Sequence, residues 1–283
     1  MNTKSNHKVI FVMGVEHSGT TILHKMLGQH PDICWFSQFS MRGGEVPTRI
    51  RMPLYRRWNL IGRRLFPPSW KKIFGIRTKI FPVPMEPHKI WDYLLPNEKQ
   101  FFDESDYNEE SAERMRNIVD LACDYWKKDN HVIKLPRLTR ATKLLARVFP
   151  DAYFVYIIRD GKAVAFSNEK KFLRGGGTPD EALRNSAQFW KDVVDYFKGS
   201  EKRIEGRLIT IRYADLCADV HGHLREILEF AGIPTDNSYY ERFPKTLEVT
   251  NERYFKTCTP EQKVIINDTI GDTLVEFGYS KFS

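Results

Sequence analysis

Residues 14 to 27, GVEHSGTTILHKML, directly follow a five-residue apolar run, Val9 to Met13. They hold two glycines, a serine and paired threonines, then pass into helical spacing. A loop that leaves a strand and opens a helix turns backbone N–H groups toward one point, and the helix N-terminus adds partial positive charge, so an anion is favoured there. Gly14 and Gly19 have the separation of the two glycines in G-x-x-x-x-G-K-[ST], the pattern that cradles nucleotide phosphates, but Thr20 stands where the lysine belongs and Thr21 follows it. In kinases that lysine and Mg²⁺ offset charge on the transferred phosphate. Its absence implies a transferred group that bears less charge. A second constellation lies in FPDAYFVYIIRDGKAVAFS, residues 149 to 167, where Arg159 ends an apolar run and Ser167 follows eight positions later. An arginine at the carboxyl end of a strand stands where ligands bind in open α/β sheets, and its planar fork suits a phosphate. A hydroxyl on the next helix can complete the cage.

These residues need a frame that brings strand ends together. Five short runs read as strands: Val9–Met13, Ile33–Phe36, His131–Leu135, Tyr153–Ile158 and Leu208–Ile211. Most are apolar throughout instead of alternating, as in a parallel sheet covered on both faces. Between them lie helical patterns. Thr178 with Glu181 makes a capping box, Pro179 suits the first turn, and Leu183, Ala187, Trp190, Val194 and Phe197 form one apolar face. Thr259 and Gln262 make a second capping box before a final helix. The alternation predicts an α/β fold with a central, mostly parallel sheet of about five strands flanked by helices, in one domain spanning residues 1–283.

The loop then acquires a closer reading. H-S-G-T-T, His17 to Thr21, resembles the 5′-phosphosulfate loop of the sulfotransferases that use 3′-phosphoadenylyl sulfate (PAPS), in which Lys or Arg precedes S-G-T-T. A sulfuryl group carries less charge than a terminal phosphoryl, which agrees with the missing lysine. LGQHPDI, residues 27 to 33, is similar to the element that follows the family's first helix, and residues 149 to 167 resemble its 3′-phosphate segment. IKLPR (133–137), IRYADL (211–216, with Ala214 for the family's Glu) and EFGY (276–279) extend the resemblance over most of the chain. The pattern is that of the bacterial and tyrosylprotein-type enzymes; the C-terminal R-K-G of the cytosolic steroid and phenol enzymes is absent. The resemblance implies the P-loop kinase-like sulfotransferase fold, PAPS as co-substrate with adenosine 3′,5′-bisphosphate (PAP) as product, and no metal. It implies that Gly14, His17, Ser18, Gly19, Thr20 and Thr21 hold the 5′ end. Arg159 and Ser167 would hold the 3′-phosphate with help from Lys171, one helical turn on, and Tyr213 would pack near the nucleotide.

The implied reaction is attack by an acceptor hydroxyl on sulfur, through a loose transition state stabilised by positioning and by donors at the bridging oxygen. His17, in the family's Lys/Arg position, and Lys134, 25 residues before Arg159, are the candidate cations. The general base is the weak point. Ser37 and Gln38 occupy the place where relatives carry Glu after the second strand. Glu45, seven residues past Gln38 and beyond Gly43–Gly44, is the first candidate; Glu16, His88 and His17 are the others. Two further readings stay open: a P-loop nucleotide kinase, and a non-catalytic PAPS/PAP-binding protein.

Composition bounds the partners. The net charge of +8 is more than accounted for by residues 42–89, an aromatic-rich, proline-rich insertion with twelve basic residues and two acids, Glu45 and Glu86. It reads either as a solvated, partly helical surface segment whose aromatics dock on the core, or as an acceptor wall or lid that favours a saccharide, glycolipid or other anionic acceptor and also suits an acidic membrane surface. Nucleic acid is not expected, since no recognised binding motif accompanies the charge. No apolar run approaches the roughly 20 residues that span a bilayer, and the polar N-terminus is unlike a signal peptide, so the expectation is a cytoplasmic protein or a chain trimmed of its anchor. Cys34, Cys123, Cys217 and Cys258 lie far apart and read as reduced. The eight histidines form no metal-ligand spacing.

Overall fold

The computed structural model describes residues 7–36, 84–88, 90–91, 95–96, 99–249 and 251–283. The elements in chain order are β1 (Lys8–Met13), α1 (Thr20–Leu27), β2 (Ile33–Cys34), α2 (Glu109–Trp126), β3 (Asn130–Lys134), α3 (Thr142–Val148), β4 (Tyr153–Ile158), α4 (Gly161–Leu173), α5 (Pro179–Lys198) and β5 (Leu208–Arg212). Then follow α6 (Tyr213–Ala218), α7 (Val220–Phe230), α8 (Asn237–Tyr240), α9 (Glu252–Phe255) and α10 (Pro260–Glu276). The five strands form one sheet, ordered β2-β3-β1-β4-β5, and every pairing is parallel. The predicted strands are all present, with ends shifted by a residue; the second is cut to Ile33–Cys34 because it pairs with β3 through those two residues alone.

Burial explains the uninterrupted apolar strands. Val9 to Met13 and Phe154 to Ile158 are each at most 3 % exposed, so β1 and β4 have no solvent face on which polar residues would alternate. Both capping boxes form as the spacing predicts, at Thr178 with Glu181 and at Thr259 with Gln262. The apolar face of α5 is fully buried along α4 and α10, and Phe197 stacks on Tyr156 of β4 at 3.7 Å. Among the described residues no helix is long and apolar enough to cross a membrane, and no three His, Cys, Asp or Glu side chains converge on a metal site.

The placement of β1 between β3 and β4 creates the site. The register pairs Val12 with Lys134 and Met13 with Tyr156, so β1 and β3 end within a residue of each other and β4 runs two residues further on the same side. Everything that leaves their carboxyl ends, the 14–19 loop, Lys134 and Arg159, is delivered to one crevice.

Tertiary packing also joins residues that their spacing left apart. Cys34 on β2 and Cys123 on α2 meet with sulfurs 3.3 Å apart, as free thiols. The contact with Cys34, then burial, pushes the Cys123 thiol up. Beside them His24 of α1 and His131 of β3 are fully buried, and neither ring nitrogen of His131 has a hydrogen-bond partner among the described residues. Loss of water, then nearby positive charge (Lys134 for His24, and His24 for His131), lowers both to about 3. Because these folded values lie below the ordinary imidazole value near 6.5, the unfolded chain binds the extra protons, and stability falls as pH drops from about 6.5 toward 3. Each imidazole contributes ~1.4 kcal/mol per pH unit in that window. His131→Phe should therefore flatten the dependence of the urea midpoint on pH between 7.5 and 5; an unchanged slope would show that the ring is protonated in the fold.

Candidate active site

The loop has the geometry that its composition predicts. Gly14 has φ +150° and Gly19 φ +93°. A Cβ on Gly14 would lie 2.6 Å from the Ile157 carbonyl oxygen, and one on Gly19 would lie 2.4 Å from the Tyr213 ring. Both positions therefore need glycine for conformation and for space. Thr139, after β3, pins the loop's entry: the Gly14 N–H donates to its hydroxyl at 2.9 Å, and that hydroxyl donates to the Gly14 carbonyl at 3.1 Å. No sequence pattern marks this threonine.

Gly19 caps α1 without a side-chain bond, and while the Ile22 amide donates to the Gly19 carbonyl at 3.1 Å, no side chain covers the Thr20 and Thr21 amides at the start of the helix among the described residues. The Ser18 hydroxyl, 1 % exposed, has no hydrogen-bond partner among the described residues. A buried hydroxyl without a partner is costly, and an anion seated on the loop would satisfy it together with the amides. His17 takes a left-handed conformation at φ +67°, unusual for a residue other than glycine, Asn or Asp. The protein's own groups do not favour the expected imidazolium. Loss of water in the crowded loop lowers its pKa first; Glu16 opposes this, and Arg159, Lys171 and Lys134 lower it further. Three cations around one ring make a fourth unfavourable until an anion arrives.

The missing loop lysine is replaced from another strand. Lys134 ends β3, is 2 % exposed, and donates from Nζ to the Thr21 hydroxyl at 2.9 Å. Its ammonium thus reaches the residue next to the empty lysine position of the loop. Desolvation lowers its pKa, opposed by Glu86, to which Nζ also donates. Glu86 in turn contacts His88, with Nε2 3.0 Å from Oε2.

Arg159 follows β4 directly and Asp160 caps α4 by accepting from the Lys162 amide, which fixes the guanidinium at the strand-to-helix junction. Arg159 donates from Nε to Asn251 Oδ1 at 2.8 Å and from Nη1 to the His17 carbonyl at 2.6 Å. Its guanidinium carbon lies 4.7 Å from the centre of the Tyr213 ring. Tyr213 therefore does two jobs: it backs the arginine and closes over Gly19. Two of the donors of Arg159 are committed to protein, so it clasps the loop to the C-terminal segment as well as facing the crevice. Ser167, the seventh residue of α4, is half-buried, and Lys171 is exposed, 3.5 Å from Glu16.

The loop residues, Lys134, Arg159 and Tyr213 are thus brought together. Glu45, Gln38 and the body of the basic insertion lie outside the described residues; of 42–89 only 84–88 are described. Sequence reading treated Glu86 as one of two acids in a basic stretch, and no spacing linked it to Lys134, 48 residues away.

The chain is similar to known sulfotransferases in sequence and in fold. Protein-tyrosine sulfotransferase 1 of Danio rerio is 21% identical over 234 residues, covering 81% of this chain and 54% of its own length. Omega-hydroxy-beta-dihydromenaquinone-9 sulfotransferase Stf3 of Mycobacterium bovis is 27% identical over 164 residues, covering 53% of this chain and 41% of its own. The chain thus spans about half the length of the curated relatives it matches. Among solved structures, sulfotransferase STF9 from Mycobacterium avium superposes with TM-score 0.66 at 17% identity, over 100% of this chain and 79% of that one. STF1 from Mycobacterium tuberculosis gives 0.57 at 18%, over 83% and 70%. Both share the fold. The model of the sulfotransferase family matches residues 9–237, most of the sequence, and the chain belongs to that family.

Proposed function

We propose that this chain moves a sulfuryl group from PAPS to an acceptor hydroxyl, releasing PAP. The observation that carries the reading is the loop whose lysine comes from β3. It offers unblocked amides and an unsatisfied serine hydroxyl to an anion, with a single buried ammonium at its edge. That is enough positive charge for a sulfuryl donor without a metal-bound triphosphate. Gly14, His17, Ser18, Gly19, Thr20 and Thr21 hold the 5′ phosphosulfate. Arg159, Ser167 and Lys171 hold the 3′-phosphate, and Tyr213 lies against the nucleotide.

In this reading charge grows on the bridging oxygen as the sulfur–oxygen bond breaks, and Lys134 with the Thr20 and Thr21 amides faces that oxygen. Burial makes such donors worth more than in water. Acceptors reach the crevice past residues 84–88, the described end of the basic insertion. Its charge favours a saccharide, glycolipid or other anionic acceptor. The relatives' names add tyrosine residues and a menaquinone-derived alcohol to the classes to be assayed.

Calorimetry tests the donor. PAP should bind at least about 10²-fold more tightly than AMP, since the second phosphate gains two or more charge-assisted bonds worth ~1.5–3 kcal/mol each. Equal affinities would end the proposal. A ³⁵S-PAPS transfer assay over acidic saccharides, tyrosine peptides and polyprenyl alcohols then ranks acceptors.

A further inference from the structure

Glu86 places its two carboxylate oxygens on two different partners. Oε1 accepts from Lys134, the ammonium at the phosphate loop, and Oε2 lies 3.0 Å from His88 Nε2. One carboxylate therefore ties an imidazole to the cation that faces the leaving group. Exposure grades outward across the three side chains, from 2 % at Lys134 through 28 % at Glu86 to 57 % at His88, so the imidazole stands on the open side of the crevice.

The segment is anchored where a base is needed. The Met85 amide donates to the Phe36 carbonyl at 3.0 Å, which lays residues 84–86 beside the chain as it leaves β2. The Pro87 carbonyl accepts from the amides of Ile90 and Trp91, and the side chains of both are buried, Trp91 edge-on to Phe11 of β1. Glu86 and His88 therefore follow directly on a backbone contact with Phe36, the residue at which the described chain leaves β2.

We propose that His88, held by Glu86, is the group that takes the proton of the acceptor hydroxyl, an assignment that rests on the sulfuryl-transfer reading above. Nε2–H donates to Glu86, which leaves Nδ1 as the proton acceptor on the open face. As the acceptor oxygen bonds to sulfur, the sulfur–oxygen bond to the 5′-phosphate breaks. The bond pair stays on the PAP oxygen beside Lys134, and the hydroxyl proton passes to Nδ1 and later to water. Glu86 is a positioning residue. Burial would raise its carboxyl, but the hydrogen bond from His88 and the charge of Lys134 prevail and bring it to about 2. So acidic a group is a poor base and a permanent hydrogen-bond acceptor. Among the described residues, the other charged or titratable groups around the trio are His24 and Lys25 of α1, and Glu16 and His17 of the loop.

The test compares wild type with His88→Asn, Glu86→Gln, the double variant and Glu45→Gln, using ³⁵S-PAPS with two phenols. 4-Nitrophenol is largely ionised at pH 8 and needs no base; tyramine needs one. PAP affinity is measured on each variant by calorimetry. His88→Asn should keep PAP affinity within about threefold and slow tyramine sulfation by about 10²-fold or more, the general-base range, with much less effect on 4-nitrophenol. Glu86→Gln should slow tyramine about tenfold while PAP binds equally or more tightly, because a carboxylate beside the donor has gone; a merely structural loss would weaken both. The double variant should be no slower than His88→Asn. The assignment is overturned if tyramine turnover in His88→Asn stays within threefold, if both phenols slow alike, or if Glu45→Gln alone shows the selective loss. Wild-type PAP binding without transfer to either phenol, to water or to any acidic saccharide, tyrosine peptide or polyprenyl alcohol would overturn the transfer reading and the base together, whereas transfer with an indifferent His88 overturns the base alone.

Discussion

Arg159→Ala should weaken PAP binding by about 10²- to 10³-fold, read by calorimetry, and should lower stability as well. The guanidinium is 7 % exposed and joins three parts of the chain: the loop through the His17 carbonyl, the C-terminal segment through Asn251, and α6 through the face of Tyr213. In the proposed binding mode its removal would delete the charge that faces the 3′-phosphate. It also leaves a carbonyl and an amide without a donor, at about 1–3 kcal/mol for each that stays buried. Arg159→Lys should recover little of the affinity, because an ammonium cannot hold the carbonyl, the amide and a phosphate in one plane. The loss should be specific: AMP, which lacks the 3′-phosphate, should bind the variant and the wild type within a few-fold. Equal PAP affinity in Arg159→Ala would move the 3′-phosphate elsewhere.

Lys134→Met should lower single-turnover transfer by about 10²- to 10³-fold, the range for removing one preorganised donor at a developing oxyanion, while PAP affinity falls less than tenfold. Methionine keeps the length of the buried stem, so packing around β3 is retained. The expected split between rate and affinity follows from position: Lys134 touches Thr21 at the 5′ end of the crevice and lies away from the 3′ clamp of Arg159. Glu86 would lose its cation in this variant, and its carboxyl should rise from about 2 toward the ordinary range. A loss of affinity equal to the loss of rate would make Lys134 a ground-state anchor and not a donor to the leaving oxygen.

Much of the frame was legible along the chain. Val9–Met13 and Tyr153–Ile158 read as strands because covered strands carry no polar alternation, and Thr178 and Thr259 marked helix starts because a cap is satisfied within three residues. The same locality made the loop readable: Gly14 and Gly19 meet their requirement for positive φ within six residues of each other. Arg159 was legible for a similar reason, since a strand end, a cap at Asp160 and a helix hydroxyl follow one another without interruption.

What the sequence by itself determined is therefore whatever nearest neighbours settle: strand and helix periods, caps, and the anion-binding loop with its lysine missing. Only the tertiary structure decided which lysine fills the gap and what stands beside it. The order β2-β3-β1-β4-β5 puts Lys134 next to a loop 113 residues earlier. Two backbone anchors, at Phe36 and Trp91, then carry Glu86 and His88 to the same edge. The physical reason is that a parallel sheet joins strands through long crossovers, so the side chains at its carboxyl edge become neighbours through packing and have no spacing in the chain that announces them.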